Sequence, residues 1–309
     1  MDVKNKMATR KTKITPIADY FGVDHQAYHM KGKNCRDLFS EEVNDFFTRM
    51  DHNLYVTGQP GVGKTYQVEN SAPNFPKIYL LTIKQKTSPW AFMKSMAVNL
   101  HNLPKGMKLA VYIDDINAMF KDGSEFIDMF KNAMDKKAKG GDCIEYNTSL
   151  GAQYASAEDF EKEAIDHFKA MDPTRTGFVI PFDGRVKFIF TMNTPLPGKQ
   201  EVDKHPIGSA KWNKLNNTAA VRSRVKYENL TMDRETYWGW ITEVVWNFPT
   251  SMCVGATDEQ RFEMLMWLWD NWTVSSETSL RFVEEKMWDT MQKFPKKAAY
   301  HTRWEKLKG

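Results

Sequence analysis

Glycines, a lysine and a threonine follow one another early in the chain at a spacing that suits phosphate binding. The stretch reads Tyr55-Val56-Thr57-Gly58-Gln59-Pro60-Gly61-Val62-Gly63-Lys64-Thr65-Tyr66. Gly58, Gly63, Lys64 and Thr65 occupy the fixed positions of the pattern G-x-x-x-x-G-K-T. Glycines let the backbone wrap closely around phosphate oxygens, and the helix that follows presents free N–H groups to the same anion. A Gly-rich turn that merely ends in Lys-Thr is the alternative, but an apolar strand before it and acidic partners downstream favour a nucleotide-phosphate site.

The side chains of this loop have expected roles. The Lys64 ammonium would neutralise the β- and γ-phosphates of a nucleotide, and the Thr65 hydroxyl would bind Mg²⁺. The predicted nucleotide-binding residues are Gly58, Gln59, Pro60, Gly61, Val62, Gly63, Lys64, Thr65 and Tyr66.

Two carboxylates follow an apolar run further along the chain. The run from Leu109 to Ile113 leads directly into Asp114 and Asp115. Asp114 would complete the Mg²⁺ shell begun by Thr65, directly or through water, and Asp115 would orient or deprotonate the attacking water. An Asp at this place can also be a helix N-cap. Its position after a phosphate loop favours the metal site.

A third polar group is expected at the same place. Residues 186–192 form the strongest remaining strand candidate and lead into Asn193, whose side chain could reach the γ-phosphate and the water together. Strands that alternate with helices predict a parallel sheet covered on both faces, and ligands of such sheets sit at the carboxyl ends of the strands. We therefore expect the loop, both aspartates and Asn193 to meet at one edge of the sheet.

The predicted fold is an α/β P-loop sheet with flanking helices, followed by a small all-helical lid. Predicted strands span about residues 53–57, 77–83 (as a buried strand), 108–114, 186–192 and 225–230. Predicted helices begin at Ser40, with Val43, Phe46, Phe47 and Met50 on one face, and then span about residues 64–71, 89–100, 116–138, 157–170 and 210–222. Residues 177–182 and 185–190, joined by Asp183-Gly184, predict a hairpin whose first strand is an edge strand because of Pro181.

From Asp233 onward the pattern is helical only. Helices are predicted over about 233–247, from a capping box at Thr257 to Trp272, and over 279–294, and most tryptophans from 238 to 288 are expected to fill a small core. The predicted organisation is a basic N-terminal tail (1–35), a nucleotide-binding domain (36–232, with an insertion at 139–185), a lid (233–294) and a C-terminal tail (295–309).

Composition narrows the class of protein. The apolar runs fall far short of the ~20 residues that a membrane span requires, so no membrane contact is expected. A polar, basic N-terminus predicts no secretion signal, and three widely spaced cysteines suit a reducing compartment, so a cytoplasmic location is expected. The net charge of +4 permits contact with nucleic acid without arguing for it. The N-terminal basic residues could form a solvated tail or a nucleic-acid-binding arm: Lys4, Lys6, Arg10, Lys11 and Lys13.

Taken in order, these features resemble an AAA+ ATPase over about residues 40–294. By that resemblance, Gly58 to Thr65 is the Walker A loop, Asp114-Asp115 are the Walker B acids and Asn193 stands at the sensor-1 position. The resemblance implies ATP and Mg²⁺ as cofactors, hydrolysis of the β–γ phosphoanhydride, and a homo-oligomeric ring such as a hexamer or a hetero-oligomeric AAA+ assembly. The family usually has Glu where this chain has Asp115, which is one methylene shorter and must place the water differently or have help.

Two arginines carry further parts of the resemblance. Arg224, in Ser223-Arg224-Val225, is similar to the arginine finger of clamp loaders and would then reach a neighbouring subunit's γ-phosphate. Arg281 looks like the sensor-2 arginine at the start of a lid helix and would sense the γ-phosphate of its own chain. The alternative for both is an ordinary surface charge.

Three classes of function remain open for this protein. The first is a loader or motor on DNA, in replication or a related process, with Lys84, Lys86 and Trp90 or residues 139–185 as candidate contacts; the alternative for Trp90 is burial. The second is a protein-remodelling or assembly ATPase with an aromatic, Met-rich lid as docking surface. The third is a nucleotide-gated structural subunit with little hydrolysis. The modest length suggests a compact viral or phage-type member, which would place it in a host cytoplasm.

Overall fold

The chain forms two compact units. The computed structural model describes residues 16–84, 87–115, 124–134, 142–147 and 151–308. The first unit, here called the sheet unit, is Phe39–Thr231, and the second, the helical unit, combines Met1–Leu38 with Met232–Gly309. Helix α1 (Val23–Arg49) contributes residues to both. Among the described residues, no helix combines the length and the apolar character that a membrane span requires.

The sheet unit is built on five parallel strands in the order β2-β3-β6-β1-β7. The strands are β1 (Leu54–Gly58), β2 (Ile78–Ile83), β3 (Lys108–Asp114), β6 (Val186–Met192) and β7 (Lys226–Leu230), and a separate antiparallel pair consists of β4 (Cys143–Tyr146) and β5 (Phe178–Pro181). In β3 all residues from Leu109 to Ile113 are fully buried, so both faces of this strand are covered. The predicted parallel α/β sheet is therefore confirmed.

Helices connect the strands of the sheet unit. They are α2 (Lys64–Ser71), α3 (Pro89–His101), α4 (Ser124–Ala133), α5 (Gly151–Ala155), α6 (Asp159–Met171), α7 (Lys199–Val202) and α8 (Ala210–Arg222). At the start of α3, the Ser88 hydroxyl accepts a hydrogen bond from the N–H of Ala91 at 3.1 Å, and Pro89 occupies the first helical position. Of the predicted helix 116–138, residues 124–133 form α4, whereas residues 116–123 and 135–138 lie outside the described residues.

Two predictions about strands are wrong. Residues 177–182 and 185–190 do not pair as a hairpin: β5 pairs with β4, and β6 has β1 and β3 on its two sides. The turn itself is present, with positive φ at Asp183 and Gly184, but both edges of β6 are already taken by parallel neighbours. Strand β2 is an edge strand with an exposed Tyr79, not a buried one, because only β3 pairs with it.

The helical unit contains four helices after residue 232. They are α9 (Arg234–Asn247), α10 (Asp258–Asp270), a helix that runs as α11 (Leu280–Phe282), a π-helical segment (Val283–Trp288) and α12 (Asp289–Lys293), and finally α13 (Lys297–Trp304). The predicted capping box is confirmed, since the Thr257 hydroxyl accepts from the N–H of Gln260 and the Gln260 side chain accepts from the N–H of Thr257. The expectation that most of its tryptophans fill a core also holds, with these buried: Trp238, Trp240, Trp246 and Trp267.

Both predicted tails contain ordered helix. Helix α1 begins at Val23 instead of Ser40, and its first part packs on α9 through glycines: a Cβ added to Gly32 would lie 2.0 Å from the backbone nitrogen of Trp240. A glycine contact leaves no apolar periodicity in the sequence, which is why the pattern missed it. In the C-terminal segment, Trp304 is fully buried although lysines surround it in sequence. The five basic residues between Lys4 and Lys13 lie outside the described residues.

Candidate functional site

The phosphate-loop candidate joins β1 to α2 and contains two glycines in the left-handed conformation. Gly61 and Gly63 have φ of 75° and 76°, a region that L side chains rarely adopt. Gly63 is the N-cap of α2 and has no side chain to cap the helix, whose first intrahelical bond runs from the N–H of Gln67 to the carbonyl of Gly63 at 2.9 Å. The N–H groups of the first turn therefore remain for an anion. Gly58 has a packing reason as well, because a Cβ there would lie 2.7 Å from Leu230 of β7.

The Lys64 side chain forms hydrogen bonds with two other residues of the loop and with Asn193. Its ammonium donates to the carbonyl oxygens of Gly58 and Gln59, each at 2.9 Å, and to Oδ1 of Asn193 at 3.0 Å. The residue is buried, and burial lowers the pKa of Lys64 to about 8, against the opposing effect of the charges of Asp114 and Asp115. A further negative charge brought close to Lys64 would stabilise its ammonium.

The metal-binding candidates meet directly. The hydroxyl of Thr65, on the first turn of α2, donates to Oδ2 of Asp114 at the end of β3, with 2.9 Å between the oxygens. The other carboxylate oxygen, Oδ1, accepts from the hydroxyl of Thr191 in β6 at 2.5 Å. Thr191 did not emerge from the sequence. The only feature of the sequence that points to Thr191 is that it is a polar residue inside an apolar strand. This feature becomes informative only once the pairing register of β3 and β6 is known.

Asp115 and Asn193 lie beside this pair, each immediately after its strand. Asp115 has a φ of 54°, a left-handed conformation that Asp tolerates better than most residues, and its N–H donates to the carbonyl of Thr191 at 3.1 Å. Asp115 and Asn193 are both exposed. The structure thus brings the loop, Asp114, Asp115 and Asn193 to the carboxyl ends of neighbouring strands.

Arg222, Arg224 and Arg281 each contact residues of their own chain. Nη1 of Arg224 donates to the carbonyl of Ala220 at 2.7 Å, at the end of α8. Arg222 donates to the carbonyl of Leu196 at 3.0 Å, and its guanidinium lies 4.2 Å from the centre of the Tyr227 ring. Arg281 belongs to the helical unit, where its side chain is 74% exposed and 3.7 Å from Glu285.

One candidate nucleic-acid contact is wrong. Trp90 is buried and packs against Tyr146 and Phe178, so its ring is not available to stack on a base. Lys84 is half exposed and pairs with Glu69 at 2.6 Å, whereas Gln85 and Lys86 lie outside the described residues.

The site has the chemistry that a magnesium nucleotide requires. Mg²⁺ prefers hard oxygen ligands and is held by one or two carboxylates together with phosphate oxygens, and Thr65 and Asp114 supply a hydroxyl and a carboxylate. The buried ammonium of Lys64 and the glycine loop supply cationic and N–H groups for the phosphates. The residues present therefore fit both groups.

The strand order, the loop between β1 and α2, and the polar ends of β3 and β6 decide the type of fold. The chain has the fold of an AAA+ P-loop ATPase. No family model matches its sequence, and no curated protein sequence does.

Several solved AAA+ structures resemble the chain at low identity. A RuvB mutant from Thermotoga maritima has a TM-score of 0.48 and 12% identity, over 89% of this chain and 70% of that one. PCH-2 from C. elegans has a TM-score of 0.40 and 13% identity, over 92% of this chain and 67% of that one. The replication initiator DnaA bound to AMPPCP and single-stranded DNA has a TM-score of 0.39 and 11% identity, over 86% and 63%. The assignment of the fold rests on the strand order and the site geometry.

Proposed function

We propose that this AAA+ protein binds ATP with Mg²⁺ at the loop Gly58 to Tyr66 and hydrolyses the β–γ phosphoanhydride. The observation that carries the proposal is the contact between the Thr65 hydroxyl and the Asp114 carboxylate, next to a buried Lys64 that also contacts Asn193. A hydroxyl, a carboxylate, an ammonium and an amide from three separate segments of the chain converge here, which a structural turn does not require.

Each residue has a proposed task. Lys64 holds the β- and γ-phosphates, while Thr65 and Asp114 hold the metal, which when bound neutralises negative charge on the phosphate oxygens. Asp115 accepts a hydrogen bond from the attacking water and orients it toward the γ-phosphate. Asn193 donates from its amide to the γ-phosphate or the water. These groups act by positioning and by charge, which are the main contributions of a protein to phosphoryl transfer.

The test compares wild type with Lys64→Ala in ATP binding and phosphate release. Loss of the ammonium should lower hydrolysis by roughly 100-fold or more, as removal of a charge-stabilising group does elsewhere. The matched control is Lys84→Ala, which removes a half-exposed lysine of the same unit whose ion pair is with Glu69. Equal hydrolysis by wild type and Lys64→Ala would contradict the proposed ATPase activity. The protein would then be interpreted as a nucleotide-gated structural subunit.

For the client we propose DNA, on which hydrolysis would drive conformational work in a loader or motor. The support is the net charge of +4 and the similarity of Ser223-Arg224-Val225 to the clamp-loader motif. DNA should stimulate the ATPase, and its binding should weaken with salt because phosphate contacts release counterions. If neither effect occurs, DNA is not the client.

A protein client is the second candidate, and helix α1 supplies its support. Val23, Met30 and Leu38 are 82%, 50% and 63% exposed, and their spacing of seven and eight residues places them along one face of the helix. Exposed apolar side chains in a row are typical of protein contact surfaces. In this case an unfolded protein substrate, and not DNA, should stimulate ATP hydrolysis.

A further inference from the structure

The two carboxylate oxygens of Asp114 have different partners. Oδ2 accepts from Thr65, at the start of α2, and Oδ1 accepts from Thr191, which is fully buried in β6. The parallel register of β3 and β6 pairs Asp114 with Thr191, so the two side chains emerge side by side on one face of the sheet. The oxygen on the loop side thus remains directed at Thr65, while the other is held from within the sheet.

A third hydroxyl fixes the direction of these hydrogen bonds. Tyr112, two residues before Asp114 and on the same face of β3, lies with its hydroxyl 2.9 Å from Oγ1 of Thr191. Thr191 has one proton, and it donates this to the carboxylate, so the Tyr112 hydroxyl must donate to Thr191. The phenol of a tyrosine is a donor near neutral pH. The chain of donors therefore runs Tyr112 to Thr191 to Asp114.

We propose that Thr191, oriented by Tyr112, is a positioning residue that sets the magnesium affinity of the site by fixing the Asp114 carboxylate. This inference rests on the proposed binding of Mg²⁺ and nucleotide. A carboxylate that is already oriented loses less conformational freedom when it ligates a metal, and groups that hold ligands in this way commonly change metal affinity when they are removed. Thr191 needs no contact with nucleotide or metal to act so.

The competing explanation is that Thr191 only fills space in the sheet. Thr191→Val separates the two, because valine has nearly the same shape without the hydroxyl, and Thr191→Ser keeps the hydroxyl while losing a methyl group. The matched control is Thr57→Val in β1: Thr57 is also fully buried, and among the described residues its hydroxyl has no hydrogen-bond partner.

The experiment measures equilibrium binding of a fluorescent ATP analogue by the full chain as Mg²⁺ is titrated, and again in EDTA. Thr191→Val should raise the Mg²⁺ concentration at half-saturation by about 10- to 100-fold, Tyr112→Phe by about 3- to 10-fold, and Thr191→Ser by less than about 3-fold. Affinity in EDTA should be the same for all variants. Thr57→Val should match wild type in both conditions.

The outcomes separate this inference from the function on which it rests. If wild type binds no nucleotide, the proposed function itself fails. If wild type binds and Thr191→Val has the same Mg²⁺ requirement, or if Thr191→Ser does not restore it, the positioning role is overturned. An equal shift in Thr57→Val would likewise show a packing effect only. Should circular dichroism show that Thr191→Val does not fold, Tyr112→Phe decides, and an unchanged Mg²⁺ requirement overturns the inference.

Discussion

The fold stabilises the positive charge of the buried Lys64 side chain only in part, and this favours binding of an anion. Burial disfavours its positive charge, and the charges of Asp114 and Asp115 partly offset this. The atoms that its ammonium contacts directly are two backbone carbonyl oxygens and the Asn193 amide oxygen. None of these three partners carries a formal charge. A direct contact with a charged phosphate would therefore stabilise the ammonium more than these neutral hydrogen-bond partners do.

This environment predicts that nucleotide affinity depends on pH. Because the pKa of Lys64 is lowered to about 8, the ammonium is present below that pH and is lost as pH rises through it. Affinity for the ATP analogue should fall above pH 8, by at most about tenfold per pH unit. Binding titrations from pH 7 to 9.5 measure this, and Lys64→Ala should show a flat profile. An equally steep fall in that variant would assign the effect to another group.

Asp115 is the second prediction at the residue scale. Asp115→Asn keeps the size of the side chain and, like Asp, tolerates the left-handed backbone with φ of 54°. It removes only the charge that would act on water, so phosphate release should fall by about 10²–10⁴-fold while nucleotide affinity stays within a few-fold. Steady-state hydrolysis and equilibrium binding together check this. Loss of binding would instead place Asp115 among the ligand-holding groups.

At the scale of elements, two close contacts position whole segments. The β3–β6 pairing aligns Asp114 with Thr191, and the glycine contact between α1 and α9 holds the first part of α1 within the helical unit. A Cβ on Gly239 would lie 1.8 Å from the carbonyl oxygen of Tyr28. Backbone atoms cannot move aside as a flexible side chain can, so this position accepts glycine alone.

Gly239→Ala should therefore destabilise the helical unit. The free energy of unfolding should fall by about 3 kcal/mol or more, since the added methyl forces α1 and α9 apart. Urea unfolding followed by tryptophan fluorescence reports chiefly on this unit, which contains eight of the ten tryptophans. Gly22→Ala is the control, because a Cβ there would meet no atom within 4 Å among the described residues. Equal unfolding midpoints for the two variants would contradict the glycine contact.

At the scale of the whole molecule, the proposed hydrolysis depends on how many chains contribute to one site. We propose that Arg224 acts on the nucleotide of a neighbouring subunit in a ring, and that Arg281 senses nucleotide from the helical unit. Arginine fingers of this kind contribute on the order of 10³–10⁵ in rate in related enzymes. A ring would then be required for turnover and not only for the work done on a client.

Mixing two inactive variants tests the shared site. Arg224→Ala lacks the finger and Asp115→Asn lacks the charge on the water, so a mixed ring contains some interfaces where both groups are intact. Hydrolysis by the mixture should rise above that of either variant alone. Arg222→Ala is the matched control, since Arg222 bonds the carbonyl of Leu196 in its own chain, and it should keep most of its activity. A mixture no more active than the two variants separately would place Arg224 outside the reaction.

The local parts of this protein could be predicted from its sequence. The loop from Gly58 to Thr65 and the acid pair Asp114-Asp115 could be predicted as candidate site residues, because their backbone and charge requirements act over a few neighbouring residues. The alternation of strands and helices was sufficient to predict the parallel sheet. The buried face of α1 at Val43, Phe46 and Phe47 was also evident from its helical spacing.

What only the tertiary structure decided depends on partners distant in sequence. Strand β5 pairs with β4 because the edges of β6 are already occupied. Helix α1 extends back to Val23, and Gly32 in this extension lies at close range to Trp240. Thr191 joins the site through the register of β3 and β6. Strand neighbours and glycine contacts leave no periodic signal along the chain, since they are set by which surfaces meet in three dimensions and not by the preferences of successive residues.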